Sequence, residues 1–201
     1  MEMQDNELNG PIPTSLGFLE SLQKLNLSNN RLYGEVPNTG FNLSFLTVID
    51  LRNNSLSGSL PTNICNNLPN LETLRISQNQ ISGNIPPSLG TCRKLQILVL
   101  SYNNLSGSIP MEIGNLSKLP TLNPGKNNLI DSIFNLSMLR ILNLNNNSTS
   151  GSLPSSITNG LPDLEGLYLY NNQLSGEIPA FISNFPMLTE LELGRNSFSG
   201  T

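Results

Sequence analysis

The sequence predicts an α/β solenoid, a right-handed superhelix of about nine coils of roughly 24 residues each. Two observations predict it. An asparagine followed by a segment close to x-Leu-Ser-Gly-x-Ile-Pro recurs along the whole chain, and alternating leucines precede each of these asparagines. A unit this short buries its apolar residues only against its neighbours. We therefore expect one elongated domain over residues 1–201, with its function on a surface.

The recurring asparagines mark one position in each coil. Their spacing is 24 or 25 residues, except for 20 residues between Asn127 and Asn147. Each stands where a strand turns, so its amide can bond with backbone groups that the turn leaves unpaired. After Asn6, the predicted structural turn residues are Asn30, Asn54, Asn79, Asn103, Asn127, Asn147, Asn172 and Asn196.

The residues around each asparagine predict the layers of the coil. Leu95, Leu98 and Leu100 precede Asn103 with the alternation of a strand that has one buried face. Such strands would form a parallel sheet on the concave face. The Gly and Pro residues that follow most of these asparagines favour tight turns, and then loose 3₁₀ or extended structure on the convex face.

Two kinds of coil depart from the pattern. The coil between Asn127 and Asn147 is short, and Pro124 replaces a buried strand leucine there, so we predict a local break in the sheet or outer layer at residues 122–136. The 25-residue coils carry their extra residue near 65–68 and 158–161. We expect these two coils to bulge on the convex side.

Composition argues against several classes of function. The chain has 14 acidic and 10 basic residues, and so lacks the basic stripe that nucleic acid binding needs. It has no histidine, which removes the usual catalytic triads and the commonest metal ligand. Glu190 and Glu192 form a carboxylate pair on one strand, but a solvated surface explains them. We expect a protein that is not an enzyme and that needs no cofactor or metal.

The segment Leu98-Val-Leu-Ser-Tyr-Asn-Asn-Leu-Ser-Gly-Ser-Ile-Pro110 resembles the plant-type leucine-rich repeat, and the resemblance covers essentially the whole chain. Its Ser-Gly-x-Ile-Pro continuation is similar to the extracellular repeats of plant receptor kinases, receptor-like proteins and cell-wall enzyme inhibitors. Segments such as residues 60–69 further resemble the immune receptor kinases that include the flagellin and elongation-factor receptors. Such families have cysteine-bearing caps, so the resemblance implies a domain cut at both ends.

The resemblance implies a ligand-binding ectodomain segment of a serine/threonine receptor kinase at the plasma membrane. It would recognise an extracellular peptide or protein, in defence or development, with a co-receptor kinase of the same repeat class as a second partner. The membrane span and kinase would lie in parent segments, because no stretch here approaches the roughly 20 apolar residues that cross a bilayer. The competing interpretations are a secreted inhibitor of polygalacturonase in the cell wall, and a non-functional receptor fragment.

Solvent-facing strand positions are the best candidates for ligand contact, because turn and core positions are committed to the fold. Most of them are small and polar, but two clusters carry the arginine and aromatic residues typical of interfaces. The first cluster is Asp50, Arg52, Arg75, Val99 and Tyr102, and the second is Tyr168, Tyr170, Glu190, Glu192 and Arg195.

Cys65 and Cys92 lie in adjacent coils on the outer side. Their sequence positions favour burial as apolar thiols, with a disulfide as the alternative in an oxidising compartment. Several Asn-x-Ser/Thr sequons arise from the repeat itself, so they are weak evidence for secretion. The glycosylation candidates are Asn42, Asn53, Asn104, Asn115 and Asn135, whereas the turn residue Asn147 should stay bare.

Overall fold

The computed structural model describes residues 1–37, 43–131 and 136–200. Its main element is an eight-stranded parallel sheet in which each coil contributes one strand next to the strand of the coil before it. The strands are β2 (Lys24–Asn26), β4 (Val48–Asp50), β6 (Thr73–Arg75), β8 (Ile97–Val99), β10 (Thr121–Asn123), β12 (Ile141–Asn143), β14 (Gly166–Tyr168) and β16 (Glu190–Glu192). This arrangement confirms the predicted α/β solenoid.

A second layer of short parallel strands follows the turns. It forms three three-stranded sheets, β1–β3–β5, β7–β9–β11 and β13–β15–β17. These strands are β1 (Asn9–Gly10), β3 (Arg31–Glu35), β5 (Ser55–Ser57), β7 (Ser82–Asn84), β9 (Asn104–Ser108), β11 (Asn128–Asp131), β13 (Ser150–Gly151), β15 (Gln173–Glu177) and β17 (Ser197–Ser199). Because it is divided into three separate sheets, this layer is more fragmented than the continuous main sheet.

The outer side of the solenoid carries one helical turn in most coils. Four are 3₁₀ helices, Thr14–Phe18, Pro87–Thr91, Met111–Asn115 and Ala180–Asn184. The two 25-residue coils instead form short α-helices, α1 (Ile64–Asn67) and α2 (Ile157–Gly160). The α-helical turn is wider than a 3₁₀ turn and accommodates the extra residue. This wider turn is the bulge expected on the convex side of these two coils.

The core is a continuous stack of aliphatic side chains between the main sheet and the outer helices. The central residue of each main-sheet strand from β2 to β14 is buried: Leu25, Ile49, Leu74, Leu98, Leu122, Leu142 and Leu167. Register places each of them beside its equivalent in the next coil. The equivalent residue of β16, Leu191, is 39% exposed.

The turn asparagines connect neighbouring coils in the same way along the chain. The side chain of Asn103 donates from Nδ2 to the carbonyl oxygens of Leu100, at 3.0 Å, and of Ile76 in the preceding coil, at 3.0 Å. Its Oδ1 accepts the backbone N–H of Ile81 at 3.1 Å. The same set of bonds recurs at Asn30, Asn54, Asn79, Asn127, Asn147, Asn172 and Asn196.

The two cysteines form a disulfide that joins α1 to the end of the helix Pro87–Thr91 in the next coil. Their Cα atoms lie 5.1 Å apart, and both side chains are almost completely buried. Burial as free thiols, which the sequence favoured, is therefore wrong. Consecutive coils bring equivalent outer positions side by side, so two cysteines 27 residues apart in sequence become neighbours in space.

The irregular coil between Asn127 and Asn147 interrupts the second layer of strands more than the main sheet. Strand β10 still pairs with both β8 and β12. In the second layer, β11 pairs with β9 through a register shift between Leu129 and Asp131, and the described residues show no pairing between β11 and β13. The break predicted for residues 122–136 is therefore found in the outer layer, although residues 132–135 lie outside the described part.

Candidate ligand-binding face

The solvent-facing side of the main sheet, which we call the concave face, carries residues two, four and six positions before each turn asparagine. Side chains alternate along a strand, so these three positions share a face. The candidates predicted from the sequence come mainly from the positions two and four before the asparagine. Most residues at the position six before it are not among them, including Ile97, 37% exposed, and Thr121. The alternation of side chains along a strand is the signal that identifies these residues as part of the same face.

The first cluster is centred on a buried carboxylate. Arg52 donates to Asp50 from Nε at 2.9 Å and from Nη2 at 2.7 Å, and Arg75 lies 3.6 Å from the same carboxylate. The hydrogen bonds that Arg52 donates to Asp50 raise the pKa of Arg52 above its ordinary value, against the opposing effect of burial. Asp50 is only 3% exposed, so its carboxylate offers almost no surface for direct contact with a ligand. Its place is beneath the two arginines, which it orients towards solvent.

The remaining members of the first cluster lie further along the sheet. Val99 is paired with Arg75 across β6 and β8 and is partly exposed. Tyr102 is not on a strand but in the turn, with a left-handed φ of 57°, and its ring faces the ammonium group of Lys126 at 4.2 Å. The contact of Tyr102 is therefore with the coil that follows it.

The second cluster joins the last coils of the main sheet. The hydroxyl of Tyr168 donates to the carboxylate of Glu190, and the ring of Tyr170 faces the guanidinium of Arg195 at 5.5 Å. Glu192 accepts a 2.8 Å hydrogen bond from Nδ2 of Asn145, two coils earlier. These contacts bring all five residues of the second cluster to one region of the concave face, with two carboxylates beside two aromatic rings.

The phenol of Tyr168 is held in its neutral form. Its hydrogen bond to Glu190 raises the pKa above the ordinary value of 10.0, with smaller contributions from burial and from the charges of Glu190 and Glu192. At neutral pH the tyrosine is therefore a hydrogen-bond donor to a charged carboxylate. The cluster presents negative charge on an aromatic surface, which suits a cationic group.

Between the clusters lies a shallow depression of about 250 Å³ that the sequence analysis did not single out. We call it the amide depression. It is lined by Ser101, Tyr102, Asn123, Gly125, Lys126, Asn143, Asn145 and Asn146. Most of these residues are small and polar, and only Tyr102 among them is a candidate predicted from the sequence. The sequence does contain a sign of this depression, because both neighbouring coils that form it have an asparagine four positions before the turn residue.

The glycosylation candidates fall at different places on the molecule. Asn53 and Asn104 are exposed beside the turns, and Asn115 is exposed at the end of an outer 3₁₀ helix. Asn42 and Asn135 lie outside the described residues. Asn147 is buried, and both ends of its amide bond to the backbone, which leaves no room for a glycan there.

Over residues 1–37, 43–131 and 136–200, no group of His, Cys, Asp and Glu is placed to hold a metal ion. Nor does this part of the chain contain a helix both long and apolar enough to span a bilayer.

Comparison with known protein families identifies the repeats. Profiles described as Leucine Rich Repeat match residues 21–43 and 45–67, one described as Leucine Rich repeats (2 copies) matches residues 69–124, and one described as Leucine rich repeat matches residues 137–198. No curated protein sequence matches the chain significantly.

Solved structures match the chain over its full length. The Arabidopsis receptor kinase HAESA, solved with the peptide hormone IDA and the co-receptor SERK1, is 35% identical, with a TM-score of 0.90 over 98% of this chain and 34% of the HAESA chain. A TDR receptor is 30% identical, with a TM-score of 0.76 over 98% of this chain and 39% of its own. A plant ice-binding protein is 28% identical, with a TM-score of 0.81 over 100% of this chain and 73% of its own.

This chain thus spans about a third of the HAESA chain that it resembles, 34% of its length. The narrower resemblance to the flagellin and elongation-factor receptors stays a prediction. Repeat profiles account for most of the sequence, and the coils align with plant receptor-kinase ectodomains from end to end. The chain therefore belongs to the leucine-rich repeat family.

Proposed function

We propose that this chain is a peptide-binding segment of the extracellular domain of a plant receptor kinase. The observation that carries the proposal is the division of charge on the concave face. Arg52 follows β4 and Arg75 lies on β6, whereas Glu190 and Glu192 lie on β16 beside Tyr168. The likeness to HAESA, solved with a peptide hormone, supports the same class of ligand.

The spacing of the two clusters suits an extended peptide that crosses the strands. Arg75 on β6 and Tyr168 on β14 are separated by four strand intervals, or about 19 Å at roughly 4.8 Å per strand. About six residues of extended chain cover that distance. We expect acidic groups of the ligand to lie over the arginines and a basic group to lie near Tyr168 and the two glutamates, because complementary charges fix register and orientation.

The same proposal includes the partners and the location. A co-receptor would bind the solenoid together with its peptide, as the HAESA complex with IDA and SERK1 suggests by analogy. The Cys65–Cys92 disulfide supports an oxidising, extracellular compartment. The segment would act by binding alone, with no catalytic step of its own.

Binding of ice, suggested by the likeness to the plant ice-binding protein, fits the surface less well. A crystalline ligand needs one flat surface feature repeated without interruption. The column of turn residues starts regularly, with Asn53 bonded to Asn29 and Asn29 to Asp5. Further along, the equivalent positions are Gln78, Tyr102 and Lys126, which differ in size and charge.

Selection from a displayed library of random 12-residue peptides on the immobilised 201-residue chain tests the proposal. Selected peptides should bind the wild type and lose about tenfold or more in affinity for the variant R52A/R75A or the variant Y168A/Y170A, because arginines and tyrosines anchor interfaces. The matched control R93A/K94A removes two exposed cations from the segment before β8, and should bind like the wild type. Enrichment of no peptide, or peptides indifferent to both concave variants, would reject the proposal.

A further inference from the structure

The middle of the chain carries positive charge, although the chain as a whole is acidic. Residues 73–130 contain five basic residues and one acidic residue, Glu112, whereas the full sequence has 10 basic and 14 acidic residues. The five basic residues are Arg75, Arg93, Lys94, Lys118 and Lys126. Because the charges are segregated in this way, the coils built from residues 73–130 attract anions more strongly than the rest of the solenoid does.

Three of these cations form a row, which we call the basic rim: Arg93, Lys94 and Lys118. All three are exposed, and they lie where the outer helices lead into the strands β8 and β10. Lys94 and Lys118 each stand nine positions before a turn asparagine, so they occupy equivalent places in adjacent coils. Neighbouring strands are about 4.8 Å apart, so the row runs along the axis of the solenoid, outside the concave face.

The charges of the basic rim are not neutralised by the protein. Four arginines elsewhere form ion pairs with carboxylates. Within the described part of the chain, the side chains of Arg93 and Lys118 have no hydrogen-bond or ion-pair partner. Lys94 donates only to the neutral Oδ1 of Asn70, at 2.6 Å. The full positive charge of the three side chains is therefore available to a ligand.

The surroundings of the basic rim favour a hydroxyl-rich ligand over a membrane surface. Exposed polar residues stand within two positions of the cations, namely Thr91, Gln96 and Ser117, and they can exchange hydrogen bonds with hydroxyl groups. Binding to a membrane surface usually combines cations with apolar side chains that insert beside them. The other residues within two positions of the three cations are buried, apart from Pro120.

We propose that the basic rim binds a linear polyuronate, an acidic polysaccharide with one carboxylate on each sugar residue. Arg93 can hold a carboxylate through two parallel N–H donors, and Lys94 and Lys118 attract further carboxylates along the polymer. Each exposed ion pair is weak, but a polymer that meets three cations at once gains affinity from multivalency. The Cys65–Cys92 disulfide supports an extracellular compartment, where polysaccharides are the common polyanions. This proposal does not depend on the peptide-binding function.

Binding to polygalacturonate in calcium-free buffer tests the proposal. The matched probe is the same polymer with its carboxylates methyl-esterified, because esterification keeps the sugar chain and removes the charge. The 201-residue chain should bind the acid form and not the ester. Raising the salt concentration from about 50 to about 500 mM should weaken this binding by about tenfold or more, because salt screens exposed charges.

The variant R93A/K94A/K118A removes the whole basic rim, and should bind polygalacturonate about tenfold or more weakly than the wild type. All three positions are exposed, so the fold should not change. NMR of the isotope-labelled wild type gives a second test that needs no variant. A short oligomer of galacturonate should shift the backbone amide resonances of Arg93, Lys94 and Lys118, and should leave those of β14 and β16 unchanged.

The control variant K24A/R31A/K126A removes the same number of exposed cations from other places, so it has the same net charge as the rim variant. It should bind polygalacturonate like the wild type. Equal binding of acid and ester, or equal losses in the two triple variants, would overturn the basic rim as a polyuronate site. Binding to phosphatidylserine vesicles but not to polygalacturonate would assign the rim to a membrane surface and would overturn it as well.

The basic rim and the peptide-binding face can fail separately. The variant R93A/K94A is the control in the peptide selection, where no effect is expected, whereas the same two residues are needed here. Loss of polygalacturonate binding alone would leave the proposed function standing. Failure of the peptide selection, with binding of polygalacturonate that depends on the rim, would reject the peptide-binding face and retain the polyuronate site.

Discussion

At the scale of single residues, the turn asparagine is the side chain on which each coil depends. Asn103 is 7% exposed and satisfies one buried N–H and two buried carbonyl groups, one of them in the preceding coil. Asn103→Ala leaves these groups unpaired, and we expect a loss of roughly 3 kcal/mol in the free energy of unfolding. Chemical denaturation measures it. Asn104→Ala, at the exposed neighbouring position, should change stability by no more than about 0.5 kcal/mol, and equal losses in the two variants would contradict this role.

Tyr168 gives a residue-scale prediction about pH. Because Glu190 holds its phenol neutral, the folded pKa lies above the unfolded one. The hydrogen bond therefore stabilises the fold fully below the ordinary pKa of 10.0, and this contribution is lost as the pH rises through the folded pKa. Glu190→Gln should lower the pKa of Tyr168 towards its ordinary value, as followed by NMR of labelled tyrosine rings. Glu112→Gln, on an outer 3₁₀ helix, should leave that titration where it was.

At the scale of elements, the disulfide fastens one outer helix to the next. It closes a segment of 27 residues, and the chain-entropy estimate for a loop of that size is about 3 to 4 kcal/mol. We expect the variant C65A/C92A to lose roughly that amount, because alanine fills the buried positions without adding a polar group. Chemical denaturation with and without a reducing agent measures the contribution of the disulfide. The wild type should respond to the reductant and the double variant should not, and a wild type insensitive to reduction would contradict the estimate.

The elements also show where sequence reasoning succeeds and where it stops. The period of the repeat predicts the strands and turns, because each coil repeats the same buried leucines and the same asparagine. It does not predict that Asp50 lies buried beneath Arg52 and Arg75, since that depends on side chains from adjacent coils. The Cys65–Cys92 bond and the approach of Asn123 to Asn143 depend on the same lateral neighbours. All three features depend on which side chains of neighbouring coils meet, and the spacing of the repeats does not show this.

For the whole molecule, the repeat makes stability a sum over neighbouring coils, so one weak junction matters. Strand β10 is bounded by two prolines, Pro120 and Pro124, neither of which has a backbone N–H. In other coils the residue equivalent to Pro124, such as Leu100 or Leu144, donates to the next strand. The junction after β10 lacks that bond, and the outer layer is also interrupted there. The coils on either side should therefore open with different free energies, as resolved by native-state hydrogen exchange.

Pro124→Leu tests this junction directly. Leucine occupies the equivalent buried position in other coils, and its N–H can donate to the carbonyl group of Asn143 as Leu144 does to that of Tyr168. We expect a gain of about 1 kcal/mol in the free energy of unfolding, the net value of one backbone hydrogen bond, and more similar exchange on the two sides of the junction. Pro61→Leu, beside α1 and outside the main sheet, is the control for the general effect of removing a proline from the unfolded chain. A gain in Pro124→Leu no larger than in this control, or uniform exchange in the wild type, would show that the junction after β10 is as strong as the others. The solenoid would then unfold as a single cooperative unit despite Pro120 and Pro124.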